Sequence, residues 1–382
     1  MRAWTTAWLC LCTGLLAAAA APRPVKIAFE PPVAVTGGNY GRVHPLGGGR
    51  FALVYEGGGG VQFRTSADRC RTWSAPTRVV AGYEAGEGDR RTFLFPANPE
   101  VCRLASGRLL AAFNWRPAKG RADRQPYSIG IAISDDGGTT WSKARTVYAA
   151  TNVVDGVMRG CYEPFIHENG GKVRIYFSDE SPYVAGTHKY QNISYVESED
   201  RGRSWSRPKI YCHTPQARDG MPVAEQIGRH LYVAIETNGN GTRLHPELVR
   251  DDGVRLEPLL DGKDWHRVYA GAPYLAATAN FVLLSYQSSE GGAASDHRRS
   301  SCEVVAMPRG EVRDGKLTAF RGAARPLAVD QTREAALWNA LCPLGGDDFV
   351  AVSGYRGQIW LTRGHVGLER ANDSSGTKRR KP

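Results

Sequence analysis

The sequence predicts an all-β chain folded as a six-bladed β-propeller, and three observations support that prediction. A turn motif occurs three times, paired apolar runs recur at near-constant spacing, and no linker or compositional break interrupts the chain after its first residues. Repetition at such spacing is the signature of a repeat architecture.

The motif is Ser-x-Asp-x-Gly-x-Thr/Ser-Trp, present as Ser66 to Trp73, Ser134 to Trp141 and Ser198 to Trp205. Each copy follows an alternating apolar run, so each reads as a hairpin turn. Its Ser and Asp side chains bond local backbone, and its Gly supplies positive φ. The Trp packs back on the sheet. The first copy carries Cys70 where Gly is expected.

The paired runs are Phe51–Glu56 with Val61–Ser66, Arg108–Asn114 with Ser128–Ser134, and Lys172–Ser178 with Asn192–Ser198. They continue as His230–Thr237 with Pro246–Arg250, Phe281–Gln287 with Cys302–Met307, and Phe349–Gly354 with Gln358–Thr362. Starts about 50 to 70 residues apart suit a four-stranded blade with its loops, and six pairs imply six blades. In the last three pairs only Asp251-Asp252-Gly253 echoes the motif, so strand periodicity alone supports the count there. A sandwich would not explain a turn motif that returns at blade spacing.

Residues 1–21 read as a signal peptide: Arg2 precedes an apolar run from Trp8 to Leu16, and Ala17 to Ala21 offers small-residue cleavage positions. The expectation is a secreted or periplasmic protein with no membrane span, because the run is short of the ~20 residues a spanning helix needs. Cys10 and Cys12 leave with the leader. Cys70, Cys102, Cys161, Cys212, Cys302 and Cys342 remain, and both disulfides and buried free thiols are open to them. Residues 22–366 form the propeller, and 367–382, with Lys378 to Lys381, a basic disordered tail. A monomer is expected.

The net charge of +11 leaves two readings: an arginine-rich solvated surface, or a field that steers an acidic substrate such as a uronic or sialic acid polymer. No nucleic-acid partner is expected, because no aromatic-basic interleaving accompanies the charge. His44, His167 and His245 lack ligand spacing, so no metal site is expected.

In a propeller the innermost strands converge on the axis, and their ends line one funnel. The motif aspartates Asp68, Asp136 and Asp200 fall on the outer rim and read as structural. Two glutamates stand where core residues belong. Glu163, in Gly160-Cys161-Tyr162-Glu163-Pro164, begins an apolar strand and is biased to extended backbone by Pro164. Glu236 ends the run Leu231 to Ile235. A buried carboxylate is costly unless paired or used. Two facing carboxyls are what a glycosidase needs, one to protonate the leaving oxygen and one to attack the anomeric carbon, about 5–5.5 Å apart for retention. The alternative for each is an acid at a strand end. Asn98 and Glu100 open the second blade in a similar Asn-Pro-Glu stretch. Trp115 offers an aromatic platform next to Arg116. Arg218 and Asp219 are adjacent and point apart on an extended chain, so one of them suits sugar hydroxyls.

The eight-residue motif is the Asp-box, and the chain resembles sialidases and related six-bladed propellers. The Gly-Cys-aromatic-Glu-Pro stretch, the run Arg218-Asp219-Gly220-Met221-Pro222 and Glu236 together resemble the exo-α-L-arabinanases of fungi and their bacterial relatives. This resemblance spans most of the mature chain and implies a retaining exo-glycosidase whose two catalytic glutamates match Glu163 and Glu236. Glu236 is the favoured nucleophile and Glu163 the acid/base, with the reverse assignment open. Tyr40-Gly41-Arg42-Val43 resembles the Arg-bearing opening segment of sialidases, which makes Arg42 a substrate-binding candidate.

Departures set the alternatives. Sialidases bind a carboxylate with three arginines and use a tyrosine nucleophile. Arg250 and Arg298 are the candidates to join Arg42, but no triad is legible, nor is the acid/base aspartate. Trp338 stands where a site tyrosine is sought, and its ring suits stacking on a sugar. Tyr274 and Tyr355 are the remaining candidates for a site tyrosine, and each reads as a packing or sugar-contacting residue. The leading expectation is an exo-acting glycoside hydrolase on an oligosaccharide or polysaccharide, arabinose-containing first, without a cofactor. An exo-α-sialidase and a non-catalytic glycan-binding propeller are the alternatives.

Overall fold

A computed structural model describes residues 23–369 apart from 122, 151–152, 155–156, 183–189, 258, 261–266, 291–296 and 318. The expected leader and residues 370–382 lie outside the described residues.

Six antiparallel sheets of four main strands surround one axis. The innermost strands are Asn39–Gly47, Thr92–Arg103, Cys161–Asn169, Gly220–Ile227, Ala270–Ala277 and Leu337–Gly345. The paired runs of the sequence are the second and third strands of each blade. In blade one they are Arg50–Gly57 and Gly60–Ser66, and in blade six Asp348–Tyr355 and Gln358–Leu368. These second strands are apolar on both faces, as in Phe51 to Tyr55 and Phe349 to Val352, because each blade packs between two others.

The first and last described strands both build the sixth blade. Val25–Phe29 is its outermost strand and pairs with Gln358–Leu368, Val25 opposite Leu368 and Phe29 opposite Gly364. Val33–Gly37 pairs with the other end of that strand. The Phe29 ring meets Phe349 edge-on at 5.8 Å. Closure leaves no innermost edge without a neighbour.

The Asp-boxes lie between third and fourth strands and share one hydrogen-bond pattern. Ser66, Ser134 and Ser198 accept the N–H of Cys70, Gly138 and Gly202 at 3.0, 2.8 and 2.8 Å. Asp68, Asp136 and Asp200 accept the N–H of Thr72, Thr140 and Ser204 at 2.9, 2.9 and 2.8 Å. Hydroxyl and amide donors hold all three carboxyls below the usual carboxylate range.

The glycine position of each box faces the preceding blade. Gly138 has φ +94°, and a Cβ there would lie 2.7 Å from Phe63 Cδ1 in blade one. Thr77 Oγ1 donates to the Gly138 carbonyl across the same gap at 2.8 Å. In blade one the equivalent residue is Cys70, at φ 66° and buried. It shares an apolar cluster with Cys342 and Phe349 of blade six. Its thiol is among the groups that push the Cys342 thiol up. Cysteine replaces glycine where the neighbouring blade leaves a side chain's worth of space, at the seam of the ring.

Gly138→Ala is expected to destabilise the fold by roughly 1–3 kcal/mol, the usual cost of overpacking. Gly48→Ala, at φ +59° with open space around it, should cost less. Equilibrium urea denaturation of the two variants checks the difference.

Candidate active site

Each innermost strand carries a bulge at the same level. Pairing with the second strand slips between Asn39 and Arg42, Ala97 and Glu100, and Tyr162 and Phe165. It slips likewise between Gly220 and Val223, Gly271 and Tyr274, and Leu337 and Ala340. Within each slip one non-glycine residue has left-handed φ: Tyr40 50°, Asn98 48°, Glu163 53°, Met221 51°, Ala272 50° and Trp338 57°. Such backbone is strained for an L-residue, and its recurrence in every blade makes the strain a property of the fold. The bulge re-aims a side chain toward the axis. Tyr40, Met221, Ala272 and Trp338 meet there in one small cluster.

A second ring of residues supports the first. Opposite the residue before each bulge stand Glu56, Asn114, Ser178, Glu236, Gln287 and Gly354 on the second strands. In four blades this side chain accepts the bulge N–H of the next blade. Asn98 N–H donates to Glu56 Oε1 at 2.7 Å and Met221 N–H to Ser178 Oγ at 2.9 Å. Ala272 N–H donates to Glu236 Oε2 at 2.8 Å and Trp338 N–H to Gln287 Oε1 at 2.6 Å. Glu163 therefore belongs to the bulge ring and Glu236 to the supporting ring.

The two acids share Arg218. Glu236 is buried, with Oε1 at 3.1 Å from Arg218 Nη1 and Oε2 on the Ala272 amide. Its room comes from glycine: a Cβ on Gly271 would lie 2.7 Å from Glu236 Oε2 and would also strike the Tyr269 hydroxyl. Glu163 Oε2 accepts from Ser178 Oγ at 2.9 Å. Desolvation raises the Glu163 pKa above its ordinary value, the Glu236 charge adds to the rise, and Arg218 and Arg116 oppose it. One acid is thus inclined to keep its proton, while the other faces a guanidinium.

Arg218 is held by Gln191, whose Oε1 accepts from Nε at 3.0 Å. Gln191 Nε2 donates to Glu180 Oε1 at 3.1 Å, and Glu180 Oε2 accepts the Gly160 N–H at 2.9 Å. Gln287 Nε2 donates to the Tyr269 hydroxyl at 3.4 Å. Burial, and after it the Glu236 charge, raise the pKa of that phenol.

The other predicted residues divide by position. Asn98 and Trp338 stand in the bulge ring, and Arg218 pairs with Glu236 and acts on Glu163 through its charge. Arg42, Glu100 and Tyr274 follow the bulges by two residues and, with Phe165, form a buried floor beneath them. Arg42 Nη1 donates to the Gly41 and Trp338 carbonyls, both at 2.9 Å. Its guanidinium lies 3.9 Å from the Tyr40 ring centroid and 3.9 Å from Glu100, which also contacts His44. Arg42 is therefore already engaged.

Two residues are turned away from the funnel. Trp115 is 3% exposed and packed edge-on against Tyr83 and Phe113, so it is core and not an open platform. Asp219 is fully buried against Thr214 Oγ1 at 3.0 Å and Arg255 at 3.4 Å, on the side away from Arg218. The alternation expected of adjacent residues sends Arg218 to the funnel and Asp219 into the blade. Arg250 pairs with Asp252 at 2.6 Å on the rim, and Arg298 is exposed.

Glu180, Gln191 and Tyr269 belong to the site without having been singled out from the sequence, which named Tyr40 only within the opening segment and Arg116 only as the cation beside Trp115. One signal was available for the ring itself: proline follows the bulge residue in four of six blades, as Pro99, Pro164, Pro222 and Pro273. A cavity of about 890 Å³ adjoins the site over blades one, two and six, lined by Glu56, Phe95, Arg116, Lys119, Trp338 and Tyr355 among others. Among the described residues no three His, Cys, Asp or Glu side chains group as metal ligands, and no helix is long and apolar enough to cross a membrane. The six described cysteines are free thiols.

This architecture is that of the sialidase-like six-bladed propellers. Residues 49–260 match the BNR repeat-like domain, and the chain belongs to that family. No curated protein matches it. Among solved structures it is similar to a protein of unknown function from Dyadobacter fermentans, at 11% identity and a TM-score of 0.63 over 90% of this chain and 99% of that one. A GH93 α-L-arabinofuranosidase of Fusarium graminearum, complexed with arabinobiose, gives 15% identity and a TM-score of 0.62 over 90% and 97%. A Penicillium chrysogenum α-L-arabinanase, also complexed with arabinobiose, gives 15% and 0.60 over 89% and 97%. At such identities the likeness is one of fold.

A folded-state pKa above the unfolded value means that the native state holds the Glu163 proton longer than the unfolded chain does. Stability from this group is then complete below about pH 4.5, the ordinary value, and is lost as pH rises through the folded pKa. Glu163→Gln does not titrate, so its stability relative to the parent protein should increase as pH rises from 4.5 to 7. Thermal melts across that range check the sign.

Proposed function

We propose that the chain is a secreted, exo-acting, retaining glycoside hydrolase, with Glu236 as nucleophile and Glu163 as general acid/base. The observation that carries this reading is that Glu163, whose pKa is raised, lies within the electrostatic reach of both Glu236 and Arg218, while Glu236 is paired with Arg218 at 3.1 Å. Glu163 donates its proton to the glycosidic oxygen as that bond breaks, and Glu236 attacks the anomeric carbon to give a glycosyl-enzyme. Glu163, now ionised, takes a proton from water, which attacks the same carbon and releases Glu236. Roles set by environment follow the general rule for paired carboxyls.

The buried floor of Arg42, Glu100, Phe165 and Tyr274 supports the exo mode, since a chain end that enters the funnel meets a closed bottom. Export rests on the leader-like residues 1–21. An arabinose-containing glycan is the first substrate class, supported by the resemblance of the Glu163 and Glu236 stretches and by the arabinobiose complexes of similar fold. Sialic acid is second, because Arg42 is already bonded to Trp338 and Glu100 and is covered by Tyr40.

Glu236→Gln is expected to lower turnover by ~10³-fold or more while leaving the fold intact. An unchanged rate on a panel of aryl glycosides and arabino-oligosaccharides would overturn Glu236 as nucleophile, and no turnover of that panel by the parent protein would leave the non-catalytic glycan-binding reading in its place.

Glu163→Gln should slow natural glycosides far more than aryl glycosides with acidic leaving groups, which need no proton. Activity of the parent enzyme requires Glu163 protonated, so its alkaline limb should fall above the usual carboxylate range. That limb should disappear in Glu163→Gln. A pH–rate profile of kcat/KM for both proteins checks this.

A further inference from the structure

We propose that a second sugar position lies beside the glutamate pair, over blade two, and that it takes a sugar ring carrying a carboxylate, a uronate of an acidic glycan. The proposal deepens the hydrolase reading and rests on it only for the identity of the neighbouring cleavage point.

Phe95 and Arg116 are direct cross-strand partners in blade two. Opposed residues of an antiparallel pair project from the same face with Cβ atoms about 4.5–5.5 Å apart. Both line the 890 Å³ cavity. Phe95 is 49% exposed with its ring 4.6 Å from that of Phe93, so an aromatic surface that the core does not need is presented to the cavity. Such a face suits the apolar side of a sugar ring.

Arg116 differs from the other guanidiniums of the funnel in its partners. Arg218 faces Glu236, Arg42 faces Glu100, and Arg356 faces Glu334 at 2.8 Å. Arg116 instead donates Nε to Asn114 Oδ1 at 2.7 Å and Nη2 to Asn98 Oδ1. Two amide oxygens fix the fork, the Glu163 carboxyl feels its charge without forming an ion pair with it, and Nη1 has no hydrogen-bond partner among the described residues. Lys119 lines the same cavity, exposed and without a carboxylate partner among the described residues. The one acid in the lining, Glu56, holds the Asn98 amide. A preorganised guanidinium of this kind binds carboxylates by charge-assisted hydrogen bonds. The net charge of +11 favours the approach of a polyanion.

The test is binding to the full-length Glu236→Gln protein, so that turnover does not enter the measurement. Calorimetric titration with galacturonate trimers, a glucuronate-containing trisaccharide, arabinotriose and 3′-sialyllactose at low salt is expected to give at least tenfold tighter binding for a uronate than for arabinotriose. Added salt should narrow that gap. Arg116→Gln should abolish it, Arg116→Lys should keep part of it, and Phe95→Ala should weaken uronate binding about tenfold. Absence of binding by both uronates, a uronate affinity no better than that of arabinotriose, a preference that survives Arg116→Gln, or a stronger preference for sialyllactose would each overturn the proposal. The salt response and probe ranking need no change at Arg116, so they stand even if a variant there misfolds. Failure of hydrolysis in the parent enzyme would leave this binding result unaffected, and the converse also holds.

Discussion

The tie between a bulge amide and the preceding blade is the constraint on which this propeller's centre depends. A strand entering a bulge loses ladder partners, and an orphaned N–H near the axis would be costly. The second strand of the neighbouring blade supplies the acceptor in four cases, through Glu56, Ser178, Glu236 and Gln287. Left-handed backbone at Asn98, Met221, Ala272 and Trp338 is thereby held in place. Glu236 is first a structural acceptor: one oxygen satisfies Ala272, and the other is left for Arg218 and the funnel. Chemistry is laid over a position that the fold already requires to be polar.

The asymmetry between the two glutamates follows from which ring each occupies. Glu236, in the supporting ring, reaches the Ala272 amide with one oxygen and the Arg218 guanidinium with the other. A residue of the bulge ring projects over the axis among buried side chains, where Glu163 has a serine hydroxyl and a neighbouring negative charge. Arg218 moderates the repulsion without cancelling the difference. The chain from Arg218 through Gln191 to Glu180 and the Gly160 amide fixes the guanidinium from behind, so the pair does not depend on a flexible surface arginine.

Much of the frame was legible because its signals are local. Asp-box side chains bond within eight residues, the second strands are largely apolar runs and the third strands alternate, so turns and strands such as Ser128–Ser134 and His230–Thr237 appear in the structure at the expected residues. The innermost strands were harder to read, because a bulge breaks the two-residue period and brings Gly and Pro into the strand. The closing strand Val25–Phe29 pairs with residues more than 330 positions away, and nothing local announces it. Glu163 and Glu236 stood out as acids among apolar residues. Arg116 did not, because its environment is assembled from Asn98 and Asn114 on two strands. Trp115 looked like the platform only because register was unknown: the residue that shares a face with Phe95 is Arg116, and Trp115 turns to the core.

The closing seam reaches the floor of the site. Blade six is assembled from the first and last described strands, and its Trp338 carbonyl accepts from Arg42 of blade one, which also lies near Glu100 of blade two. Three blades therefore meet at one buried guanidinium. A buried ion pair of this kind is weak as a source of net stability, because desolvation offsets most of the Coulombic gain. What it supplies here is geometry. The Tyr40 ring stacks on the guanidinium and packs against Trp338 at 5.6 Å, so the side chains that roof the floor are oriented by the same contact that joins first and last blades. The Trp338 amide, tied to Gln287, links that contact to blade five and through Gln287 to Tyr269 beside Glu236. Closure of the ring and shape of the funnel are consequently set by one continuous set of polar contacts.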